Sequence, residues 1–237
     1  MLQITNLSKT YHGGKKAVDG LSLEVKAGDI FGFIGHNGAG KTTTIKAMTG
    51  VLDFEEGEIL INGTDLKKEP VLCKSMIAYI PDNPDLYEHL TGIQYLNFIG
   101  DIFRIPKSQR EERIQHFSDL FELTRDLGDL ISAYSHGMKQ KLAIISALIH
   151  EPKLLVLDEP FVGLDPKAAF ALKTLMQTLC AQGNAIFFST HVLEVAEKLC
   201  NKIAIIQKGK LVACGGIDEV RGDQSLESLF LELIKHE

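Results

Sequence analysis

A glycine-rich stretch, "GHNGAGKT" from Gly35 to Thr42, constrains the fold of this chain more than any other feature. It follows the apolar run "DIFGFIG" and opens the segment "KTTTIKAMTG", so it joins a buried strand to a helix. In that context the pattern G-x-x-x-x-G-K-[ST] predicts a loop whose backbone N–H groups cradle phosphates. The residues expected at the phosphates are Gly35, His36, Asn37, Gly38, Ala39, Gly40, Lys41, Thr42 and Thr43.

The side chains predicted to bind phosphate, Mg²⁺ and the attacking water come from this loop and from the end of a second apolar strand. We expect Lys41 to neutralise the β- and γ-phosphates and Thr42 to ligate Mg²⁺. The segment "LLVLDEP" ends in Asp158 and Glu159. Asp158 suits Mg²⁺, directly or through water, and Glu159 can polarise an attacking water. Taken alone, the two acids are also compatible with capping of the next segment.

Two further side chains are candidates for the same site. His191 follows the strand "FFST" at the edge where open α/β sheets bind ligands, and it can donate a hydrogen bond to the γ-phosphate. The alternative is that His191 caps the helix that follows. Tyr11 lies in an early turn and can stack on adenine, or it is an ordinary loop tyrosine.

The stretch "YSHGMKQKL", from Tyr134 to Leu142, predicts a second anion-seeking helix start in a chain with one phosphate loop. Ser135 can cap the free N–H groups there, and Gly137 allows close approach. This helix start has no lysine in the arrangement of the phosphate loop, so it suits half of a composite site. The alternative is a plain N-cap.

The order of patterns along the chain predicts an α/β fold. The first part alternates like antiparallel strands, in "LQITNL" and "LSLEVK". Helical spacing dominates the middle, and "KLLVLDEP" and "NAIFFST" then resemble buried parallel strands joined by a crossover helix. We expect a core from residues 1–82 and 151–237 with an inserted helical part, 83–150, in one 237-residue domain. A hairpin at "QKGK" and a terminal helix "LESLFLELIKHE" complete the chain.

Composition narrows the functional classes. A net charge of −6 and a pI of about 5.8 disfavour a nucleic-acid partner. The cysteines lack metal-ligand and CxxC spacings, so we expect buried small hydrophobes in a reducing compartment: Cys73, Cys180, Cys200 and Cys214.

A membrane role is expected to need a partner. No apolar run reaches the roughly 20 residues that span a bilayer. The early lysines are followed by no long apolar run, so no export signal is expected.

The ordered set "GHNGAGKT", "YIPDNP", "YSHGMKQ", "LLVLDEP", "GLDP" and "STH" resembles the nucleotide-binding subunit of an ABC transporter, and is most similar to the ABC-2 type export group. The resemblance covers essentially the whole chain. It implies a P-loop NTPase (RecA-like) fold with a mixed sheet, an N-terminal antiparallel β subdomain and a helical subdomain that docks on a membrane partner. It also implies ATP hydrolysis with Mg²⁺, on the cytoplasmic face of the membrane, for transport through a separate permease.

The resemblance answers why a second helix start is needed. "YSHGMKQ" resembles the signature motif, which binds the γ-phosphate held by a second ATPase chain in a head-to-tail dimer, either homodimer or heterodimer. We call Ser135, His136, Gly137 and Met138 the signature turn. The resemblance further implies that Tyr11 stacks on adenine, Glu159 is the catalytic carboxylate, His191 is the switch histidine and Asp165 couples the two sites across the interface.

Two departures from the family pattern stand out. Asp82 occupies the place of a Gln that meets Mg²⁺ or the lytic water; an Asp can hold a Mg²⁺-bound water, or can cap a turn in "PDNP". In the signature turn, His136 replaces a Gly and Met138 replaces a Gln. Loss of that Gln is expected to weaken contact with the ribose across the interface.

Three other functions fit the sequence less well. A small GTPase would need an N-K-x-D motif, and "NKIA" at Asn201 lacks the Asp. An ABC ATPase acting on DNA or ribosomes would need a long coiled coil or two ATPase halves. A binding module without catalysis is favoured only by Asp82 and Met138. The transported substrate is not encoded in these motifs, and export over import follows from the resemblance and from the short C-terminal segment.

Overall fold

The computed structural model describes residues 1–235 and contains two β-sheets. The strands are β1 (Leu2–Thr10), β2 (Lys16–Val25), β3 (Ile30–Ile34), β4 (Glu56–Ile61), β5 (Thr64–Asp65), β6 (Ile77–Ile80), β7 (Leu154–Asp158), β8 (Ala185–Thr190), β9 (Lys202–Gln207) and β10 (Lys210–Gly216). A four-stranded antiparallel sheet has the order β2-β1-β4-β5. The other sheet has the order β10-β9-β3-β8-β7-β6.

The six-stranded sheet is mixed, as predicted. Its strands β9, β3, β8, β7 and β6 run parallel, and β10 pairs antiparallel with β9 at one edge. Every residue of β3, β7 and β8 is buried, which explains their near-continuous apolar sequences. The register pairs Ile34 with Thr190, and Asp158 with Ser189. The carboxyl ends of the three strands therefore meet at one edge, where the phosphate loop begins.

Helices pack against the six-stranded sheet and form the segment between β6 and β7. They are α1 (Lys41–Met48), α2 (Pro70–Met76), α3 (Gly92–Ile102), α4 (Lys107–Leu120), α5 (His136–Leu148), α6 (Pro166–Ala181), α7 (Leu193–Leu199), α8 (Ile217–Arg221) and α9 (Leu226–Lys235). Short 3₁₀ turns lie at Thr124–Asp126 and Ile131–Ala133. A capping box between Thr91 and Gln94 fixes the start of α3.

Two hydrophobic clusters lie on opposite faces of the six-stranded sheet. One joins the helical segment α3–α5, α6, α7 and α9 to the sheet through residues such as Leu155 and Phe188. The other packs α1 and the antiparallel sheet against the opposite face, through residues such as Val156 and Phe187. The alternation along β7 and β8 thus sends neighbouring side chains into different clusters. The division at 83–150 stays a prediction.

The structure differs from the sequence predictions in its short elements. Helices α2 and α8 were not predicted, because segments this short contain too few turns to show a helical period. The predicted terminal helix is present from Leu226 to Lys235, and its last two predicted residues lie outside the described range.

One expectation about the cysteines is wrong. Cys73, Cys180 and Cys200 are buried, but Cys214 is exposed because it lies on the outward face of the edge strand β10. All four are free thiols.

Within residues 1–235, no helix combines the length and apolar character needed to cross a lipid bilayer.

Two glycines, one in β4 and one in the turn between β4 and β5, provide a test of the fold. Gly57 and Gly63 both have positive φ, but a Cβ at Gly57 would lie 2.6 Å from the carbonyl oxygen of Thr5, whereas Gly63 faces open space. We expect Gly63→Ala to lower the free energy of unfolding by about 1–2 kcal/mol through backbone strain. Gly57→Ala should cost about 3 kcal/mol or more, because overpacking adds to the strain. Urea denaturation measures both, and equal losses would contradict the packing of β1 on β4.

Candidate nucleotide site

The phosphate loop, residues 35–43, is fixed by backbone contacts to two neighbouring strands. A Cβ at Gly40 would lie 2.5 Å from the carbonyl oxygen of Ala17 in β2, and one at Gly35 would lie 2.6 Å from that of Ile206 in β9. The N–H of Gly209, in the hairpin turn, donates to the carbonyl of Ala39 at 2.8 Å. Close approach at these points requires glycine and explains two glycines of the motif.

Lys41 lies inside the curve of the phosphate loop. Its ammonium donates to the carbonyl oxygens of Gly35 at 2.6 Å and His36 at 3.3 Å, and the residue is 6% exposed. Burial lowers the pKa of Lys41, and the negative charges of Glu159 and Asp158 oppose that shift. Its Nζ lies 3.7 Å from Oε1 of Glu159. A buried cation is thus held where an anionic ligand can reach it.

Asp158 connects three elements at the carboxyl edge of the sheet. Its Oδ2 accepts a hydrogen bond from Thr42 Oγ1 at 2.8 Å, and its Oδ1 accepts one from Ser189 Oγ. The residue is 3% exposed. Sequence reasoning missed Ser189, although its place in "FFST", one strand from "LLVLDEP", is a signal that the register could have supplied.

The hydroxyl of Thr42 and the carboxylate of Asp158 suit Mg²⁺. They form a hard, all-oxygen donor pair, and Mg²⁺ typically takes one or two protein oxygens with water and phosphate completing its shell. In the described part of the chain, no group of three or more His, Cys, Asp or Glu is arranged to hold a metal. The donor set therefore fits an ion shared with a phosphate ligand.

Glu159 adopts a left-handed backbone conformation, with φ of 49°. A non-glycine residue there is strained, and such strain is concentrated at functional sites. Its N–H donates to Ser189 Oγ at 3.1 Å, and its Oε1 lies 2.9 Å from Nδ1 of His191. The carboxylate is mostly buried, while His191 is more than half exposed. Glu159 is thus aimed at the loop with His191 on its solvent side.

A cavity of about 270 Å³ lies over the phosphate loop. Most predicted loop residues line it, together with Tyr11, Asp82, Asp158 and Glu159. Gly35 and Ala39 are buried behind the lining. The hydroxyl of Tyr11 lies 3.3 Å from Thr43 Oγ1. The structure therefore brings the predicted adenine, phosphate and carboxylate positions into one cavity.

Asp82 lies in the wall of this cavity. Partial desolvation and the negative charges of Asp158 and Glu159 raise the pKa of Asp82, and His136 and His191 oppose that rise. Asp82, where the family pattern has a Gln, therefore adds a third carboxyl group to the cavity wall that already contains Asp158 and Glu159.

The signature turn lies outside this cavity in the same chain. Ser135 caps α5 by accepting a hydrogen bond from the N–H of Met138 at 3.3 Å, which confirms the predicted cap. A Cβ at Gly163 would lie 2.5 Å from Cδ2 of His136, and one at Gly137 would lie 2.9 Å from the carbonyl oxygen of Gly163. The signature turn therefore packs on the loop that follows Glu159, not on the phosphate loop.

Asp165 has partners within its own chain. Its carboxylate caps α6 by accepting from the N–H of Ala168 at 2.8 Å, and it lies 2.7 Å from Nζ of Lys141 on α5. The hydrogen bond from Lys141 lowers the pKa of Asp165. Asp165 thus joins α5 to α6 beside the signature turn.

Comparison with known proteins identifies the family. The profile of the family described as ABC transporter matches residues 18–162, more than half of the chain. This chain belongs to the ABC transporter family of ATP-binding proteins. The prediction of an ATP-hydrolysing ATPase with a P-loop NTPase fold is confirmed.

Individual ABC ATP-binding proteins are similar to this chain in sequence and in structure. The linearmycin resistance ATP-binding protein LnrL of Bacillus subtilis is 35% identical over 215 residues, which are 91% of this chain and 69% of LnrL. A solved ATP-binding subunit of an ABC transporter is 36% identical, with a TM-score of 0.94 and 99% of each chain covered. A solved dimeric ATP-binding cassette, MJ0796 bound to ADP and Pi, has a TM-score of 0.84 and is 23% identical. The match covers 92% of this chain and 99% of the MJ0796 chain, and it shows a similar fold.

The raised pKa of Asp82 gives a test with a defined sign. When the folded state raises the pKa of an acid, ionisation at neutral pH destabilises that state, and the penalty is relieved as pH falls through the raised pKa. Asp82→Asn should therefore increase the unfolding free energy at pH 7 without nucleotide or metal, and the gain should vanish below about pH 4.

Denaturation curves at both pH values measure this effect. Asp85→Asn is the matched control, because Asp85 lies on the same loop but does not line the cavity. A gain that does not change with pH would contradict the electrostatic explanation.

Proposed function

We propose that this chain is the motor subunit of an ABC exporter, hydrolysing ATP at sites composed of two chains. One observation carries the proposal: a cavity with a phosphate loop, a buried lysine and carboxylates is present in the same chain as a capped helix start that does not reach it. A second chain, packed head to tail, would bring its signature turn to the open side of the cavity.

We assign a role to each of the side chains described above, of which His191 lies outside the cavity lining. Tyr11 stacks on adenine, and the loop N–H groups with Lys41 hold the β- and γ-phosphates. Glu159 orients and polarises the attacking water, while His191 donates a hydrogen bond to the γ-phosphate. Mg²⁺ bound by Thr42 and Asp158 would offset phosphate charge, and Asp82 would hold one of its waters.

Exposed apolar residues near Asp165 and His191 in the sequence suit contact with a second copy or a related ATPase chain. Val162, Phe170 and Val192 are exposed and flank Asp165 and His191. Isolated apolar side chains are common on surfaces, but these lie beside the charged groups that the dimer would cover. ATP binding would close the dimer and hydrolysis would reopen it, and this movement would be passed to the permease. Asp165 would couple the two ATP sites across the dimer interface.

The helical segment 83–150 carries a surface for the membrane permease. Tyr87 lies at its start, with ring centroids 5.5 Å from Phe98 and 6.1 Å from Tyr95. Tyr87 and Phe98 are exposed, and so is Ile102 on the same helix as Phe98. Clustered aromatic rings are typical anchors of protein interfaces. Docking there would place this chain on the cytoplasmic face of the membrane.

The direction of transport rests on resemblance. The motif wording is similar to that of ABC-2 type exporters, and the relative LnrL is named for resistance to linearmycin. Export of a compound chosen by the permease is therefore the function we assign, with no nucleic acid involved.

Glu159→Gln tests the catalytic role. The variant should bind ATP, lose hydrolysis by about 100-fold or more because no carboxylate polarises the water, and accumulate as an ATP-bound dimer. Steady-state ATPase assays and analytical ultracentrifugation measure the two effects. Glu194→Gln, on the exposed side of α7, is the control and should behave like wild type. Undiminished turnover in Glu159→Gln would remove the proposed role.

Phe98→Glu tests the permease surface. A buried, unpaired carboxylate at the proposed interface should lower the membrane-bound fraction of the chain in its own cells by about tenfold, while ATPase activity of the purified chain stays the same. Val212→Glu, exposed on β10, serves as the control. Membrane association unchanged by Phe98→Glu, or lost equally in both variants, would refute this surface.

A further inference from the structure

The phosphate loop has a third support besides strands β2 and β9. The imidazole ring of His36 lies against the ring of Phe230 on α9, with centroids 4.9 Å apart and planes inclined by 49°. His36 is the second residue of the loop and also lines the nucleotide cavity. Phe230 therefore contacts a residue of the cavity wall without lining the cavity itself.

Phe230 is itself held firmly by the core. It is 9% exposed, and Leu226, one turn earlier on α9, is fully buried in the same hydrophobic cluster. Leu229 and Leu233 pack against this cluster from the same helix. Because the helix is anchored through several side chains, the Phe230 ring is a fixed support.

A displacement of His36 would reach the phosphate-binding groups. The carbonyl oxygen of His36 accepts hydrogen bonds from Nζ of Lys41 at 3.3 Å and from the N–H of Ala39 at 3.1 Å. The position of the Lys41 ammonium and the curvature of the loop therefore depend on where His36 lies. Convergent donors lose much of their effect when misplaced by about 1 Å.

We propose that Phe230 is a positioning residue for phosphate binding, which holds His36 and through it the phosphate loop in the conformation that accepts ATP. The inference rests on the proposed assignment of the loop to the phosphates. Helix α9 lies beyond residues 18–162, the part matched by the family profile, so this support belongs to the C-terminal segment of the chain.

The test compares dissociation constants for ATP and for adenosine in single and double variants. Phe230→Ala should raise the ATP constant by about 3- to 10-fold, the range expected for loss of one aromatic contact, and leave the adenosine constant unchanged. His36→Ala should have the same effect, and the double variant should show no further rise. Calorimetric titration measures each constant.

Leu229→Ala is the matched control, because it weakens the packing of the same helix without touching His36 in the structure. It should change ATP affinity much less than Phe230→Ala does, because Leu226 and Leu233 still anchor the helix. If Phe230→Ala does not fold, Phe230→Leu with His36→Ala completes the same cycle, because His36 is exposed and its removal leaves the core intact.

Equal effects of Phe230→Ala and Leu229→Ala on ATP affinity, or multiplicative effects of the His36 and Phe230 variants, would overturn the inference. A separate variant distinguishes this failure from failure of the proposed function. If Lys41→Met binds ATP as tightly as wild type, the assignment of the phosphate loop is itself wrong. If Lys41→Met loses ATP and Phe230→Ala does not, only the role of Phe230 is lost.

Discussion

A buried carboxylate organises the nucleotide site. Asp158 is almost inaccessible to solvent, so its charge must be satisfied by hydrogen bonds within the protein. The hydroxyls of Thr42, at the start of α1, and Ser189, on β8, donate these hydrogen bonds. The Ser189 hydroxyl also accepts a hydrogen bond from the N–H of Glu159. The first turn of α1, the end of β7 and the end of β8 are therefore tied together, and the strained backbone of Glu159 is held by the same serine.

The two anion-seeking helix starts are separated within one chain but are mechanically connected. The signature turn packs through His136 onto Gly163, and Lys141 pairs with Asp165, so α5 is attached to the loop that follows Glu159. In the proposed dimer, the signature turn serves the partner's ATP while Glu159 acts on the ATP of its own chain. The short loop 159–165 then connects Glu159, which acts on the ATP of its own chain, to the signature turn, which serves the ATP of the partner.

Much of the fold and of the nucleotide site could be predicted from the sequence, because the signals for the strands and the helix starts are local. The apolar runs before Gly35 and after Lys153 predict buried parallel strands, and the caps and glycines mark the helix starts. Ser189, the left-handed backbone of Glu159 and the contact between His36 and Phe230 were not predictable, because each depends on strand register or on a helix far along the chain. The intrachain partner of Asp165 was missed for the same reason.

The most direct test of the composite site mixes two inactive chains, Lys41→Met and Ser135→Arg. In a mixed head-to-tail dimer, both defects fall in one site and the other site has a wild-type loop and a wild-type signature turn. The account predicts that hydrolysis reappears on mixing, up to about a quarter of the wild-type rate, because half of the dimers are mixed and each has one intact site. A mixture that stays inactive, although sedimentation shows mixed dimers, would contradict it.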